Sequence, residues 1–230
     1  MQPIILATKN QHKTRELSEI FGNSIALKDL TSINFDKEII EDGNSFIENA
    51  LIKCKAVYEA TGLPVLADDS GLCVEAWGGK PGIHTARYGG AGLNDIERYE
   101  LMLKEMKGET NRNAAYVCAL VLYVSPTRFY IVQEDCCGTL LEAPVGNGGF
   151  GYDPIFFTPV YEKGMAEISA DEKNAISHRG KAAVAMKNLI QTLKLWYCKN
   201  GLYRMKEKVS IESFFTSIEY KTTATSTNSL

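Results

Sequence analysis

Two β-rich runs, Ala114–Val124 and Arg128–Cys137, are separated only by Ser125-Pro126-Thr127, and no other feature constrains the fold of this chain as tightly. So short a gap forces the runs to double back as an antiparallel hairpin, because a parallel crossover needs about a dozen residues or more. The chain upstream has a different pattern. Ile4-Ile5-Leu6-Ala7 reads as a short buried strand, and Asn10 stands as N-cap before a helix carrying Leu17, Ile20 and Phe21. A second helix starts at Ser45, with Glu48 placed for a capping box, and keeps Ile47, Ala50, Leu51, Cys54 and Val57 at helical spacing until Thr61-Gly62 ends it. Asn94 and Glu97 offer another box for a helix through Met106. A last helix, about Gly180 to Cys198, shows Ala182, Met186, Leu189, Ile190 and Leu193 on one face. Strand–helix units combined with a long hairpin predict an α/β fold with a mixed sheet.

With 230 residues, 45% of them hydrophobic, the chain can bury a proper core, and one domain with two lobes around a cleft is expected. A net charge of -3 gives no basic field for a nucleic-acid backbone, although a free nucleotide needs only a local pocket. No apolar run approaches the roughly 20 residues of a membrane span, and Met1-Gln2-Pro3-Ile4 does not open a signal peptide, so a cytoplasmic location is expected. The six cysteines (Cys54, Cys73, Cys118, Cys136, Cys137 and Cys198) show no C-x-x-C spacing and read as buried residues or free thiols. His12, His84 and His178 form no zinc pattern. From Gly201 the periodicity weakens and Thr222–Ser229 is too polar for core burial, so residues 200–230 are expected to be a partly disordered extension of a domain spanning 1–199, with Ile211–Tyr220 offering a further strand or helix.

Five groups carry chemistry. Asp68-Asp69-Ser70-Gly71 follows the apolar Val65-Leu66-Ala67 and reads as the end of a strand. Adjacent carboxylates there suit metal chemistry on a phosphate, or simply an acidic turn. Thr8-Lys9-Asn10-Gln11-His12-Lys13 joins the first strand to the first helix and gathers hydroxyl, amide and ammonium groups around helix N-terminal N–H groups, which favours phosphate; a plain Asn cap with solvated lysines explains it equally. It is not a Walker A loop, having no glycine. Glu38, Glu41 and Asp42 precede the Ser45 cap and offer oxygen ligands to a hard cation, or are solvated acids at a helix start. Mg²⁺ would need only Asp69 with one of Glu38 or Glu41. After the glycine-rich loop Gly146-Asn147-Gly148-Gly149, expected to be flexible, Phe150-Gly151-Tyr152-Asp153 can close over a planar base, with Asp153 accepting a base N–H; aromatic packing in a turn explains the segment equally. Lys173, His178 and Arg179 gather before the last helix as donors to phosphate or a base carbonyl.

Taken in order, these segments resemble the Ham1/inosine triphosphate pyrophosphatase family over about residues 4 to 197. The phrases are Leu6-Ala7-Thr8-Lys9-Asn10 to Lys13 and Glu16, Phe46-Ile47-Glu48-Asn49-Ala50, Ala67-Asp68-Asp69-Ser70-Gly71-Leu72, Gly78-Gly79-Lys80-Pro81-Gly82 with Ala86-Arg87-Tyr88, Gly149 to Pro154, and Ile176-Ser177-His178-Arg179. The resemblance implies a long mixed sheet with two lobes around a nucleotide cleft, a homodimer, and Mg²⁺-dependent hydrolysis of inosine, deoxyinosine and xanthosine triphosphates to monophosphate and pyrophosphate. It implies that Thr8, Asn10 and Lys13 hold phosphates, that Asp69 is catalytic acceptor and metal ligand, that Ser70 lines the site, and that Phe150 to Asp153, Lys173, His178 and Arg179 receive the nucleotide and its base. Lys13 would also support the leaving group. His12 stands where the family often has glycine, and the residues after Lys199 lie past the usual family end. A Maf-type pyrophosphatase with other nucleotide substrates and a nucleotide-binding protein without turnover are the alternative readings.

Overall fold

A computed structural model describes residues 3–90 and 92–193 of the chain. In chain order the main elements are β1 (Ile4–Leu6), α1 (Gln11–Phe21), β2 (Leu27–Asp29), α2 (Phe46–Thr61), β3 (Val65–Val74), β4 (Lys80–Pro81), α3 (Asp95–Glu105), β5 (Asn113–Ser125), β6 (Arg128–Leu140), β7 (Phe156–Thr158), β8 (Lys163–Gly164), α4 (Ala170–Ile176) and α5 (His178–Leu193), with short 3₁₀ turns between them. The expected helix end at Cys198, the extension 200–230 and the segment Ile211–Tyr220 lie outside the described residues.

The sheet is mixed, as expected. Its strands run β2-β1-β3-β5-β6-β7-β8, with β4 paired on the far end of β3. β1 is parallel to β2 and β3. β3, β5, β6, β7 and β8 are antiparallel neighbours. The hairpin β5–β6 is longer than its sequence pattern suggests: β6 continues from Cys137 to Leu140, since Thr139 and Leu140 find partners in β7.

Local signals hold where the partners are near in sequence. The Asn10 side chain accepts from the N–H groups of His12 and Lys13, and Asn94 with Glu97 forms a complete capping box. Gly62 takes the left-handed conformation that ends α2. The box at Ser45 is only half made. Ser45 caps the Glu48 N–H, but Glu48 reaches past it to accept from Asn44 N at 2.6 Å. The last helix begins at His178, two residues earlier than the periodicity suggests. The glycine loop 146–149 is pinned: Gly148 N donates to Ala166 O and Val145 N to Pro154 O, both at 2.8–2.9 Å.

Two apolar clusters divide β3 between them. Val65 and Ala67 pack with Ala50, Cys54 and Val57 of α2. Leu72 and Val74 pack with Met102 of α3, Met106 and Phe156. The odd and even positions of a strand face opposite sides, so these clusters lie on opposite faces as well as at opposite ends of β3. Asp68, Asp69 and Ser70 occupy the stretch between them. Among the described residues the cysteines are free thiols. Cys54, Cys118 and Cys136 are buried, and Cys137 is exposed.

Candidate active site

The expectation that β3 stops at Ala67 is corrected: the strand runs straight through the acids, with Asp68 opposite Leu120 and Asp69 opposite Ala119 of β5. The continuous ladder on β5 satisfies the backbone. Nearby cations offset the charge that would otherwise oppose burial, so a strand can hold what looks locally like a turn. Strand geometry then sends the two carboxylates to opposite faces.

On one face, Asp68 is 1% exposed. Arg179 Nε donates to its Oδ2 at 3.0 Å, Lys13 pairs with its Oδ1, Ser70 Oγ donates to Oδ1 at 3.2 Å, and Cys118 Sγ lies 3.0 Å from Oδ2. Burial alone would raise this acid. Arg179 and Lys13 overrule it and hold Asp68 well below the ordinary carboxylate range. Arg179 also donates to Ser70 Oγ at 2.8 Å and to Glu16 Oε2 at 2.7 Å, and Glu16 holds Lys173 at 3.1 Å.

On the other face, Asp69 meets α2. Asn49 Nδ2 donates to its Oδ2 at 3.1 Å and Lys53 Nζ to its Oδ1 at 3.2 Å. Lys53 also holds Glu41 Oε2 at 2.5 Å. Burial outweighs Lys53, Lys13 and the Asn49 bond, so Asp69 titrates above the ordinary carboxylate value. Two neighbours in sequence are thus driven in opposite directions, one fixed as an anion and the other disposed to take a proton.

A cleft of about 880 Å³ opens beside them. Of the residues singled out from the sequence, Thr8, Lys9, Asn10, His12, Lys13, Glu38, Glu41, Asp69, Ser70, Phe150, Gly151, Tyr152, Asp153, Lys173, His178 and Arg179 all line it. Gln11 is not among the lining residues and is exposed. The backbone donors of the Thr8–Lys13 loop are partly engaged. The N–H groups of His12 and Lys13 are taken by the Asn10 side chain, and that of Asn10 by Thr8 Oγ1 at 3.1 Å. Ammonium groups add positive charge for a phosphate. Lys9, which reaches Lys37 O at 3.5 Å, Lys13 and Lys53 surround this end of the cleft.

At the other end, Asp153 does not stand free to accept from a base. Its Oδ2 receives Lys173 Nζ at 2.6 Å and Phe150 N at 2.9 Å, and its Oδ1 lies 3.4 Å from the Tyr116 hydroxyl. Gly149 permits that closure with φ +71°, since a Cβ there would strike the Asp153 carboxylate. One face of the Phe150 ring is stacked by His12, with centroids 4.7 Å apart and planes 10° apart. Lys173 Nζ sits 4.6 Å from the same ring centre. His178 and Arg179 enter where α5 turns sharply off α4. Gly180 allows this, because a Cβ there would overlap the Asn174 carbonyl. Burial, then Arg179, pushes His178 well below the ordinary imidazole value, so it is neutral, and its buried Nδ1 has no hydrogen-bond partner.

Lys53, Asn49, Glu16 and Tyr116 were not singled out as site residues by the sequence reading. Lys53 and Asn49 are four apart on the buried face of α2, beside Ala50 and Cys54, and a lysine on such a stripe was the available signal. A Ham1 family model matches residues 4–189. The chain belongs to the Ham1 family. It is 46% identical over 198 residues to a dITP/XTP pyrophosphatase of Treponema denticola, covering 82% of this chain and 98% of that protein. A dITP/XTP pyrophosphatase of Geobacillus kaustophilus is 42% identical over 185 residues, covering 79% and 91%. Among solved structures, a HAM1 protein from Coxiella burnetii superposes with a TM-score of 0.78 at 35% identity, covering 84% of this chain and all of that one. The Staphylococcus aureus Ham1 protein gives 0.76 at 33% identity, covering 83% and 99%. The Ham1 match ends before the extension, so nothing in it bears on residues 200–230.

Proposed function

We propose that this Ham1-family chain hydrolyses non-canonical purine nucleoside triphosphates, such as dITP, ITP and XTP, to the monophosphate and pyrophosphate. The observation that carries the reading is the placing of Asp69, bonded to Asn49 and Lys53, on the wall of a cleft that Lys9 and Lys13 also line, in a chain 46% identical to a dITP/XTP pyrophosphatase. Asp69, raised by burial and held by Asn49 and Lys53 at the cleft wall, is suited to orient a water and accept its proton. Lys13 and Lys53 supply positive charge for a triphosphate, and Lys13 supports the departing pyrophosphate. Asp68 keeps Lys13 and Arg179 in place.

The donor set fits Mg²⁺. Asp69 and Glu41 share one ammonium at 3.2 and 2.5 Å, so two hard oxygen ligands already gather around a positive charge at the cleft. Glu38 lines the cleft without a bond to Lys53 among the described residues, which favours Glu41 as the second ligand. When bound, Mg²⁺ neutralises phosphate charge and polarises the phosphorus centre. At the base end, Lys173 and Arg179 are donors whose acids are already engaged, and His178 adds a neutral imidazole. A 6-keto purine offers O6 as an acceptor beside these cations, whereas adenine presents an amino group, itself a donor, at the same place. The same reading takes the protein as a cytoplasmic homodimer that binds neither nucleic acid nor membrane. No helix among the described residues is long and apolar enough to cross a membrane.

Release of pyrophosphate from ITP, XTP, dITP, GTP, ATP and the pyrimidine triphosphates, measured with Mg²⁺, tests this function. ITP and XTP should far exceed ATP and GTP. Comparable rates for ATP would remove the base specificity, and preference for a pyrimidine would support the Maf-type alternative. Orthophosphate as direct product would remove the reaction type, and tight binding without turnover would point to a sensor.

A further inference from the structure

Tyr116 lies on β5, opposite Leu72 on β3 and Cys136 on β6, and is 7% exposed at the cleft wall. Its ring stacks on His178 with centroids 4.8 Å apart and planes 10° apart, and is backed by Phe156 at 4.6 Å and 42°. Its hydroxyl reaches Asp153 Oδ1 at 3.4 Å, on the carboxylate that carries Lys173 and the Phe150 N–H. One side chain therefore touches both segments of the base end: the 150–153 turn through Asp153, and the start of α5 through His178.

We propose that Tyr116 is a positioning residue that couples these two segments, fixing the plane of the His178 ring by stacking and the place of Lys173 through Asp153. The proposal rests on the nucleotide reading above. His178 Nδ1 has no hydrogen-bond partner, so no bond at that nitrogen sets the ring's rotation. The parallel contact with Tyr116 restricts it instead, because tilting the imidazole would drive it into a ring that is itself packed against Phe156. Burial, then Asp153, pushes the phenol well above its ordinary value, so it stays a neutral donor to the carboxylate. The stacking surface is the larger of the two contributions, since 3.4 Å is long for a hydroxyl–carboxylate bond. The phosphate end, with Asp69 and Lys53 on the opposite face of β3, is untouched by this residue.

The test compares Tyr116→Phe, which keeps the stack and loses the hydroxyl, with Tyr116→Leu, which loses both. Steady-state kinetics on ITP and ATP, thermal unfolding, and the His178 imidazole proton signals of the free protein, assigned with His178→Asn, are the readouts. Tyr116→Leu should raise KM for ITP about tenfold, leave kcat within about twofold, and narrow the preference for ITP over ATP, as expected of lost uniform binding. It should also move the His178 signals out of the ring-current shift that Tyr116 imposes. Tyr116→Phe should keep that shift and hold KM within about threefold of the wild type. A Tyr116→Leu protein with wild-type KM, or with its loss mainly in kcat, or with unmoved His178 signals, would overturn the proposal. If the wild type itself fails to hydrolyse ITP, the nucleotide reading falls, while the His178 signals of the free variants still decide the coupling.

Discussion

Asp68 and Asp69 are consecutive residues of one strand, yet their carboxylates lie on opposite faces of the sheet and answer to different helices. Arg179 of α5 and Lys13 of α1 hold the first, while Asn49 and Lys53 of α2 hold the second. Without the sheet between them, two adjacent acids would repel each other and share partners. With it, each acquires its own electrostatic surroundings.

Asp69→Asn should lower kcat by about 10²- to 10⁴-fold, the usual worth of a positioned proton acceptor. The same substitution removes a carboxylate that burial disfavours together with part of the compensation of Lys53, which Glu41 still holds, so the melting temperature should change less than in Asp68→Asn. Pyrophosphate release and thermal unfolding on the same protein check both halves. A large fall in stability would show that Asp69 serves the fold.

Asp68→Asn should behave differently, costing about 3–5 kcal/mol by leaving the Lys13 and Arg179 cations without the buried carboxylate that compensates them. The sign with pH follows from the same depressed values. Asp68 and Glu16 titrate lower in the folded chain than when unfolded, so their stabilisation is present above the unfolded carboxylate range near pH 4 and is lost as pH falls through their folded values. Urea unfolding from pH 7 downward should show stability falling below about pH 5, and the fall should be shallower in Asp68→Asn.

Removal of divalent metal by chelation should abolish turnover, and added Mg²⁺ should restore it. Glu41→Gln should raise the Mg²⁺ concentration needed for half-maximal rate by about tenfold or more, whereas Glu38→Gln should change it less than about threefold. Equal effects of the two substitutions would remove the distinction drawn from the Lys53 contact.

His12 occupies a face of Phe150 by an imidazole stack at 4.7 Å. A base that takes this face must displace it, so His12→Ala should lower KM for ITP by about two- to tenfold with little change in kcat. A raised KM would show instead that His12 contributes to binding.

What the sequence by itself determined was local. The Asn10 cap, the Asn94–Glu97 box, the Gly62 helix end and the β5–β6 hairpin are built from groups a few residues apart, so their chemistry is written in short windows. The ordered phrases from Thr8 to Arg179 were legible in the same way and marked most of the cleft lining. Tertiary structure decided which of these groups meet. Lys53 joins Asp69 across 16 positions, Tyr116 reaches Asp153 across 37, and Arg179 reaches Asp68 across 111. The strand's passage through Asp68 and Asp69 was not legible for the same reason. Two acids after Ala67 favour a turn on local grounds, and only the ladder on β5 and cations brought from α1, α2 and α5 make a buried strand the lower-energy state.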